Sequence, residues 1–343
     1  STPYPTLFPY TTLFRSIDAS SLRHLEITQN VRDGRRKRTL LDVLDRTKTA
    51  MGGRLLRKWL EAPLLNLHDI TERQDGVEDL VRHEIMRQDL GDTLDKIYDF
   101  ERILTRIGTG TAGPKDMTAL RESLRILPDV KHILSQAGAP ILQRLNECMD
   151  VHSCVYDLLC RAVKEEPAAV IRNGGVIRDG YNEELDEIRS ISENSHAFLR
   201  DLEEREKEST GIKLKIGYTK VFGYYFEISH ANTKPIPPYY VRKQTLVNAE
   251  RYITPELKDF EVKVLTSQER LTALEYKLFT QLREEVRGHI AAMQETARAV
   301  AVADSLYSLA VCAKENRYVR PALNSREVIR IEEGRHPIIE QYN

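Results

Sequence analysis

Lys215–Ser229, KIGYTKVFGYYFEIS, and Tyr239–Leu257, YYVRKQTLVNAERYITPEL, decide how this chain is read. Most of the remaining sequence has helical spacing, whereas these stretches alternate. Ile212, Leu214, Ile216 and Tyr218 stand against Lys213, Lys215 and Gly217; Phe222, Tyr224, Phe226 and Ile228 stand against Gly223, Tyr225, Glu227 and Ser229. A period of two is that of a half-buried strand. The even-numbered residues are expected to form a small core, and the odd face to show lysines to solvent. From Lys213 to Arg251 there are seven Lys or Arg against two Glu, while Glu183–Glu208 holds ten acids against four bases. A net charge of −1 over 343 residues therefore hides sharp segregation. A basic sheet carried between acidic helices points to a phosphate-binding surface.

Both flanks of the sheet read as long helices. One starts near Asn182, with Leu185, Ile188, Ser195, Phe198 and Leu202 on one stripe. Its 26 residues to Glu208 would reach roughly 39 Å. The other starts at Thr254-Pro255-Glu256, which supplies an N-cap, a proline at the first helical position and an acid in the first turn. Leu257, Phe260, Val264, Leu271, Leu274 and Leu278 continue its stripe, and helical spacing persists to about Asn316. The pattern predicts an antiparallel helical arm with the sheet at its tip. On periodicity alone, a coiled-coil spacer with an incidental hairpin is the alternative.

Further out, Arg35–Arg38 is a basic loop, read as a solvated turn before a phosphate contact. Thr39 precedes a short amphipathic helix. Met51, Leu55, Leu56, Trp59 and Leu60 share a buried helical face that closes at Pro63. Helical spacing then runs from Asp69 to about Leu134, broken at Gly108–Gly113 and near Pro128, and resumes from about Pro140 to Lys164. The loop Arg172–Gly180 has three glycines but no Gly-Lys-Ser/Thr ending, so it reads as a turn and not as a P-loop. Cys148, Cys154, Cys160 and Cys312 lack disulfide or zinc spacing and read as buried thiols. The nine histidines form no spaced pair suggesting a metal or catalytic site. No run of 18 apolar residues occurs, so no membrane partner is expected.

Five ordered segments carry a family resemblance. LEITQNVRDGRRKRTLLDVLDRTKTAMGGRLLRKWLEAPL (Leu25–Leu64), GGVIRDGYNEELDEIR (Gly174–Arg189), KIGYTKVFGYYFEIS, RKQTLVNAERYITPELK (Arg242–Lys258) and EGRHPIIE (Glu333–Glu340) resemble the bacterial DNA mismatch repair MutS family from about Ser21 to Gln341. The resemblance implies a mainly α fold: a helical core with long antiparallel lever helices carrying a small antiparallel β clamp domain at the tip. Residues 17–199 would be core and lever, 200–265 the clamp, 266–318 the returning levers, and 319–343 the start of an ATPase domain. It further implies double-stranded DNA as partner, a homodimer, a MutL-type repair partner and a cytoplasmic, nucleoid-associated setting. ATP and Mg would belong to an ATPase domain beyond this chain, whose nucleotide state would move the levers. No catalytic residue, metal or cofactor is expected within these residues, and His336 would sit in the first ATPase strand. The family's recombination-suppressing branch lacks the clamp, which sets it aside.

Arg242, Lys243, Thr245 and Asn248 offer two cations, a hydroxyl and an amide to phosphate oxygens. With Lys213, Lys215 and Lys220 they are the expected DNA contacts, although Lys220 falls in Thr219–Phe222, where family members vary. A single-strand-binding module is the alternative, because Tyr224, Tyr225, Phe226, Tyr239 and Tyr240 could stack bases. Residues 1–16 repeat one hexapeptide, Pro3–Phe8 and Pro9–Phe14, with a single change. They read as a non-native segment.

Overall fold

The structure, a computed structural model, describes residues 17–219, 221–326 and 328–342. The expectations for residues 1–16, for Lys220 and for the Ser195 side chain lie outside the described residues. Helices α1 (Ala19–His24), α2 (Leu40–Leu44), α3 (Ala50–Glu61), α4 (Leu67–Arg82), α5 (Glu84–Leu94), α6 (Phe100–Gly108), α7 (Pro114–Leu134), α8 (Pro140–Cys148) and α9 (Ser153–Ala162) precede the long α10 (Glu183–Thr210). Strands β1 (Leu214–Thr219), β2 (Gly223–Ser229), β3 (Val241–Thr245) and β4 (Ala249–Ile253) follow, then α11 (Pro255–Arg287), α12 (Ile290–Asn316) and α13 (Ile339–Tyr342). The backbone is thus mainly helical with one small antiparallel sheet. It divides into two compact units, one ending at Cys160 and resuming at Arg283, the other Arg161–Leu282.

The first unit is built around α12, which packs against α2 to α6 and α8. This helix is long and apolar enough to cross a membrane, yet 78% of its most apolar window is buried inside the protein, as in a core helix. Its buried polar groups are satisfied by neighbouring elements. Asp304 is fully buried and accepts hydrogen bonds from the N–H of Lys48 (2.9 Å), the N–H of Thr49 (2.7 Å) and Thr49 Oγ1 (2.7 Å). Thr49 Oγ1 in turn accepts from the Gly52 N–H at 2.9 Å and caps α3. A Cβ at Gly52 would lie 2.1 Å from Asp304 Oδ2, so only glycine lets the two helices meet this closely. Burial pushes the Asp304 carboxyl up to about 6, against the pull of its donors.

Three local expectations fail here for physical reasons. Pro128 lies inside α7 and does not end it. Buried Leu124, Leu127, Val130 and Ile133 on both sides of it offset a proline cost of about 3 kcal/mol. The run from Asp69 breaks at His83 and between Leu94 and Phe100, and Gly288-His289 separates α11 from α12. Of the cysteines, Cys312 is buried but Cys154 is exposed.

In the second unit, Asn182 caps α10 through the Leu185 N–H at 3.0 Å, and Gly211 ends it at φ +66°. The helix is 28 residues long, slightly longer than its charge pattern suggests. It runs antiparallel to α11: Arg205 pairs with Glu256 at 2.9 Å, Phe198 stacks on Phe260 at 4.6 Å, and Glu184 faces Arg270 at 3.8 Å. Arg189 donates to the Ile177 carbonyl at 2.7 Å, to Asp179 at 2.5 Å and to Glu275 of α11. Glu275 is fully buried, and its Oε2 has no hydrogen-bond partner among the described residues.

The sheet has the order β1-β2-β4-β3. Leu214, Ile228, Glu250 and Thr245 form one row across it, Lys215, Glu227, Arg251 and Gln244 the next, and Ile216, Phe226, Tyr252 and Arg242 the third. A bulge at Lys243 interrupts the pairing of β3 with β4. The sheet's core contains Leu202, Ile212, Leu214, Phe226, Ile228, Tyr240, Tyr252 and Leu257. Four expected core residues are absent from it: Ile216 and Tyr224 pack against it half-buried, Phe222 is 38% exposed in the β1–β2 turn, and Tyr218 is 51% exposed. Tyr240, Tyr252 and two helical leucines fill the space instead.

Candidate nucleic-acid interface

The lysine face expected on alternating residues is only partly what the strands make. Lys213 and Lys215 are exposed at the start of β1. On the same face Tyr225 lies across Gly217, where a Cβ would come within 2.7 Å of the ring, and Arg251 covers the other side of that ring at 4.3 Å. Arg251 also holds Glu227 at 3.2 Å and Gln244 at 2.8 Å. This arginine is therefore a rivet of the sheet, and its charge is largely spent within it.

The other expected contacts lie on β3 and its turn. Arg242, with its side chain 62% exposed, pairs with Glu250 at 3.1 Å. Glu250 also accepts from the Tyr252 hydroxyl, and these two donors hold its carboxylate below the usual range. Lys243 is exposed in the bulge, Thr245 is exposed at the end of β3, and Asn248 is exposed in the turn to β4. The Asn248 carbonyl is fixed by the His230 N–H at 3.1 Å, leaving its side-chain amide outside.

These residues do not converge on one patch. β1 and β3 are opposite edges of the sheet, separated by three strand spacings, roughly 14 Å. Lys213, Lys215, Thr245 and Asn248 share one end of the sheet, while Arg242 lies in the third row. Lys234 belongs with the first group: it is exposed, beside Gly211 where α10 gives way to the sheet. Its only sequence signal is its charge, because it lies in the Pro-rich connection and not in an alternating strand. Among the described residues Lys213, Lys215, Lys234 and Lys243 make no ion pair, which leaves four ammonium groups for an anionic partner.

The aromatic residues weighed for base stacking are mostly occupied. Phe226 is fully buried, and Tyr240 stacks on it at 5.6 Å. Tyr239 and Tyr240 both donate to Glu206 of α10, at 3.1 and 2.7 Å. Tyr225 is 7% exposed, and Tyr224 packs against Phe260. Of these five only Tyr239, at 45%, is substantially open, so the geometry disfavours a single-strand stacking platform.

Nor does the loop Arg172–Gly180 suit a nucleotide phosphate. Gly174, Gly175 and Gly180 have φ of +70°, +75° and +82°, but the loop closes on an acid: a Cβ at Gly174 would lie 3.1 Å from Glu275 Oε2. A phosphate cradle needs the opposite charge. His336 lies among residues 328–338, which contain neither helix nor strand. No cluster of three or more His, Cys, Asp or Glu able to hold a metal occurs among the described residues.

A family model described as MutS domain III matches residues 20–310. The DNA mismatch repair protein MutS of Alkaliphilus oremlandii is 44% identical over 326 residues, covering 95% of this chain and 37% of that protein. The protein of the same description from Caldanaerobacter subterraneus subsp. tengcongensis is 44% identical over 328 residues, covering 95% of this chain and 38% of its own length. That of Clostridium botulinum strain Langeland is 43% identical over 330 residues, with 96% and 35% covered. The chain thus spans little more than a third of the length of these curated relatives.

Proposed function

This chain belongs to the MutS domain III family, and from that premise we propose that its sheet is a clamp that grips duplex DNA by the backbone during mismatch repair. The observation that carries the reading is the set of four unpaired, exposed lysines on the two sheet edges and the connecting loop. Ammonium groups on flexible stems suit phosphate oxygens, and their spread over both edges suits a curved backbone better than one base-reading row. In this reading α10 and α11 act as levers bearing the clamp. Thr245 and Asn248 add neutral donors, and Arg242 joins only by sharing its charge with Glu250. Lys220 keeps its place in the proposed set on sequence grounds. The longer relatives' setting extends the proposal: a homodimer, a MutL-type partner, ATP and Mg in a separate ATPase domain, and a cytoplasmic location near the nucleoid.

The test is fluorescence anisotropy of the 343-residue chain with matched duplex, mismatched duplex and single strand across a salt series. Weak duplex binding is expected, equal for matched and mismatched DNA. Lys213→Ala with Lys215→Ala should reduce the slope of log K against log salt by roughly 0.9 for each phosphate that is no longer neutralised. Unequal losses on matched and mismatched duplexes would show base readout and overturn the backbone reading. Preference for the single strand would restore the rival.

A further inference from the structure

A cavity of about 530 Å3 opens in the first unit between α3, α4, α6 and α12. Its floor is apolar: Met51, Leu55, Trp59, Ile141, Ala301 and Val302 all line it. The volume falls in the usual range for ligand pockets, apolar walls with a few polar groups. Most of its charged lining groups are spoken for. Arg54 pairs with Asp99 and Glu101 at 2.7 Å, Glu72 with Arg144 at 2.7 Å, and Arg298 with Glu295 at 2.5 Å.

Arg73 is different. Its guanidinium carbon stands over the Trp59 indole, 3.7 Å from the ring centroid, and the group makes no hydrogen bond or ion pair among the described residues. Asp69, one turn earlier on α4, is beyond ion-pair distance, and Lys58 at the rim is also unpaired among them. Stacking uses the face of a guanidinium and leaves its five N–H groups, which lie at the edge, without acceptors. Burial pushes the group down to about 10, partly offset by Asp69, so it stays charged at neutral pH. A half-buried cation whose hydrogen-bonding edge meets no acceptor among the described residues, at the wall of an apolar cavity, is half of a recognition site.

We infer that this pocket binds a peptide segment presenting an aliphatic side chain next to a carboxylate, the side chain on the Trp59 floor and the carboxylate on Arg73. The two unpaired cations, Arg73 and Lys58, outnumber the single unpaired acid, Asp69, which sets the sign of the ligand. The paired charges around the mouth can take hydrogen bonds from a peptide backbone, which a small carboxylic acid would not use.

Trp59 is the sole tryptophan of the chain, so intrinsic fluorescence reports occupancy directly. The probes are acetylated, amidated hexapeptides with a central Leu-Asp, Leu-Asn or Ser-Asp pair, and N-acetyl-leucine. The Leu-Asp peptide should change the emission saturably, and the Leu-Asn and Ser-Asp peptides should bind at least about tenfold more weakly, 1.4 kcal/mol each. In Arg73→Gln the Leu-Asp and Leu-Asn peptides should become equal. Absence of a saturable change with Leu-Asp, or an Asp-to-Asn ratio unaltered in Arg73→Gln, overturns the proposal. N-acetyl-leucine binding as tightly as the hexapeptide overturns the peptide assignment. If Arg73→Gln fails to fold, the comparison of Leu-Asp with Leu-Asn on the unaltered chain still decides the role of the carboxylate.

Discussion

Among the described residues each of the two units buries one carboxylate completely, and they are held by opposite means. Asp304 in the helical core is met only by neutral donors, two backbone N–H groups and a threonine hydroxyl. Glu275, at the root of the sheet-bearing unit, is met by the Arg189 guanidinium and keeps one oxygen without a partner among the described residues. Neutral donors fix a carboxyl in place but do not fully compensate its charge, so its ionisation stays coupled to stability. A cation compensates the charge, but the pair then depends on both members. The core is thereby sensitive to pH at this point, and the sheet unit to the loss of a single side chain.

The largest effect should come from breaking the ion pair. Arg189→Met leaves Glu275 buried and unpaired, and calorimetry should show a loss of about 3–5 kcal/mol. Glu275→Gln, which keeps the shape and removes the charge, should lose clearly less; equal losses would mean that packing and not charge holds the two side chains in place. Next comes the pH dependence of the core. The folded-state value of Asp304, about 6, lies above the ordinary 3.8. Its contribution is therefore intact below pH 3.8 and is lost as pH rises through about 6. A shift of about two units corresponds to roughly 3 kcal/mol. Denaturant melts at several pH values should show wild type falling relative to Asp304→Asn across that window, and parallel curves would refute the assignment. Gly52→Ala forces a methyl group into the same carboxylate and should cost about 1–3 kcal/mol, measured at one pH.

Smaller effects separate the cations of the sheet. Arg242→Ala frees Glu250 and should lower duplex affinity less than Lys243→Ala, because part of its charge is already neutralised in place. Both should leave stability within about 0.5 kcal/mol. An Arg242 loss that exceeded the Lys243 loss in anisotropy would show that the Glu250 pair opens on binding.

Much of this is legible in the chain. Helix starts at Thr39 and Thr254 follow from capping chemistry, the one near Asn182 from its apolar stripe, and the β1–β2 hairpin from alternation. Pro128 misleads because its tolerance depends on packing partners that come from other helices. The break at Gly288 is hidden because apolar spacing continues across it. Lys213, Lys215 and Lys243 are readable as exposed cations. The neutralisation of Arg242 and the riveting of Arg251 are not, because both depend on cross-strand register through a bulge. Nor can spacing show that Glu206 takes the hydroxyls of Tyr239 and Tyr240, more than thirty residues away. The Arg73–Trp59 stack joins two helices whose separate patterns look like ordinary core and surface.

A four-stranded sheet has two outer strands, each a template on which another chain could add a strand. On β1 the Ile216 N–H is taken by Glu203 of α10 at 3.0 Å, so a helix carboxylate closes that border. β3 has no such cover among the described residues, and its border is disrupted instead by the bulge and by the charge of Lys243 within it. The residue proposed to reach for phosphate thus also puts a charge on the uncovered border, a feature that opposes edge-to-edge pairing. Removing its charge would weaken colloidal stability as well as DNA affinity, and a mutant screened only for binding would confuse the two.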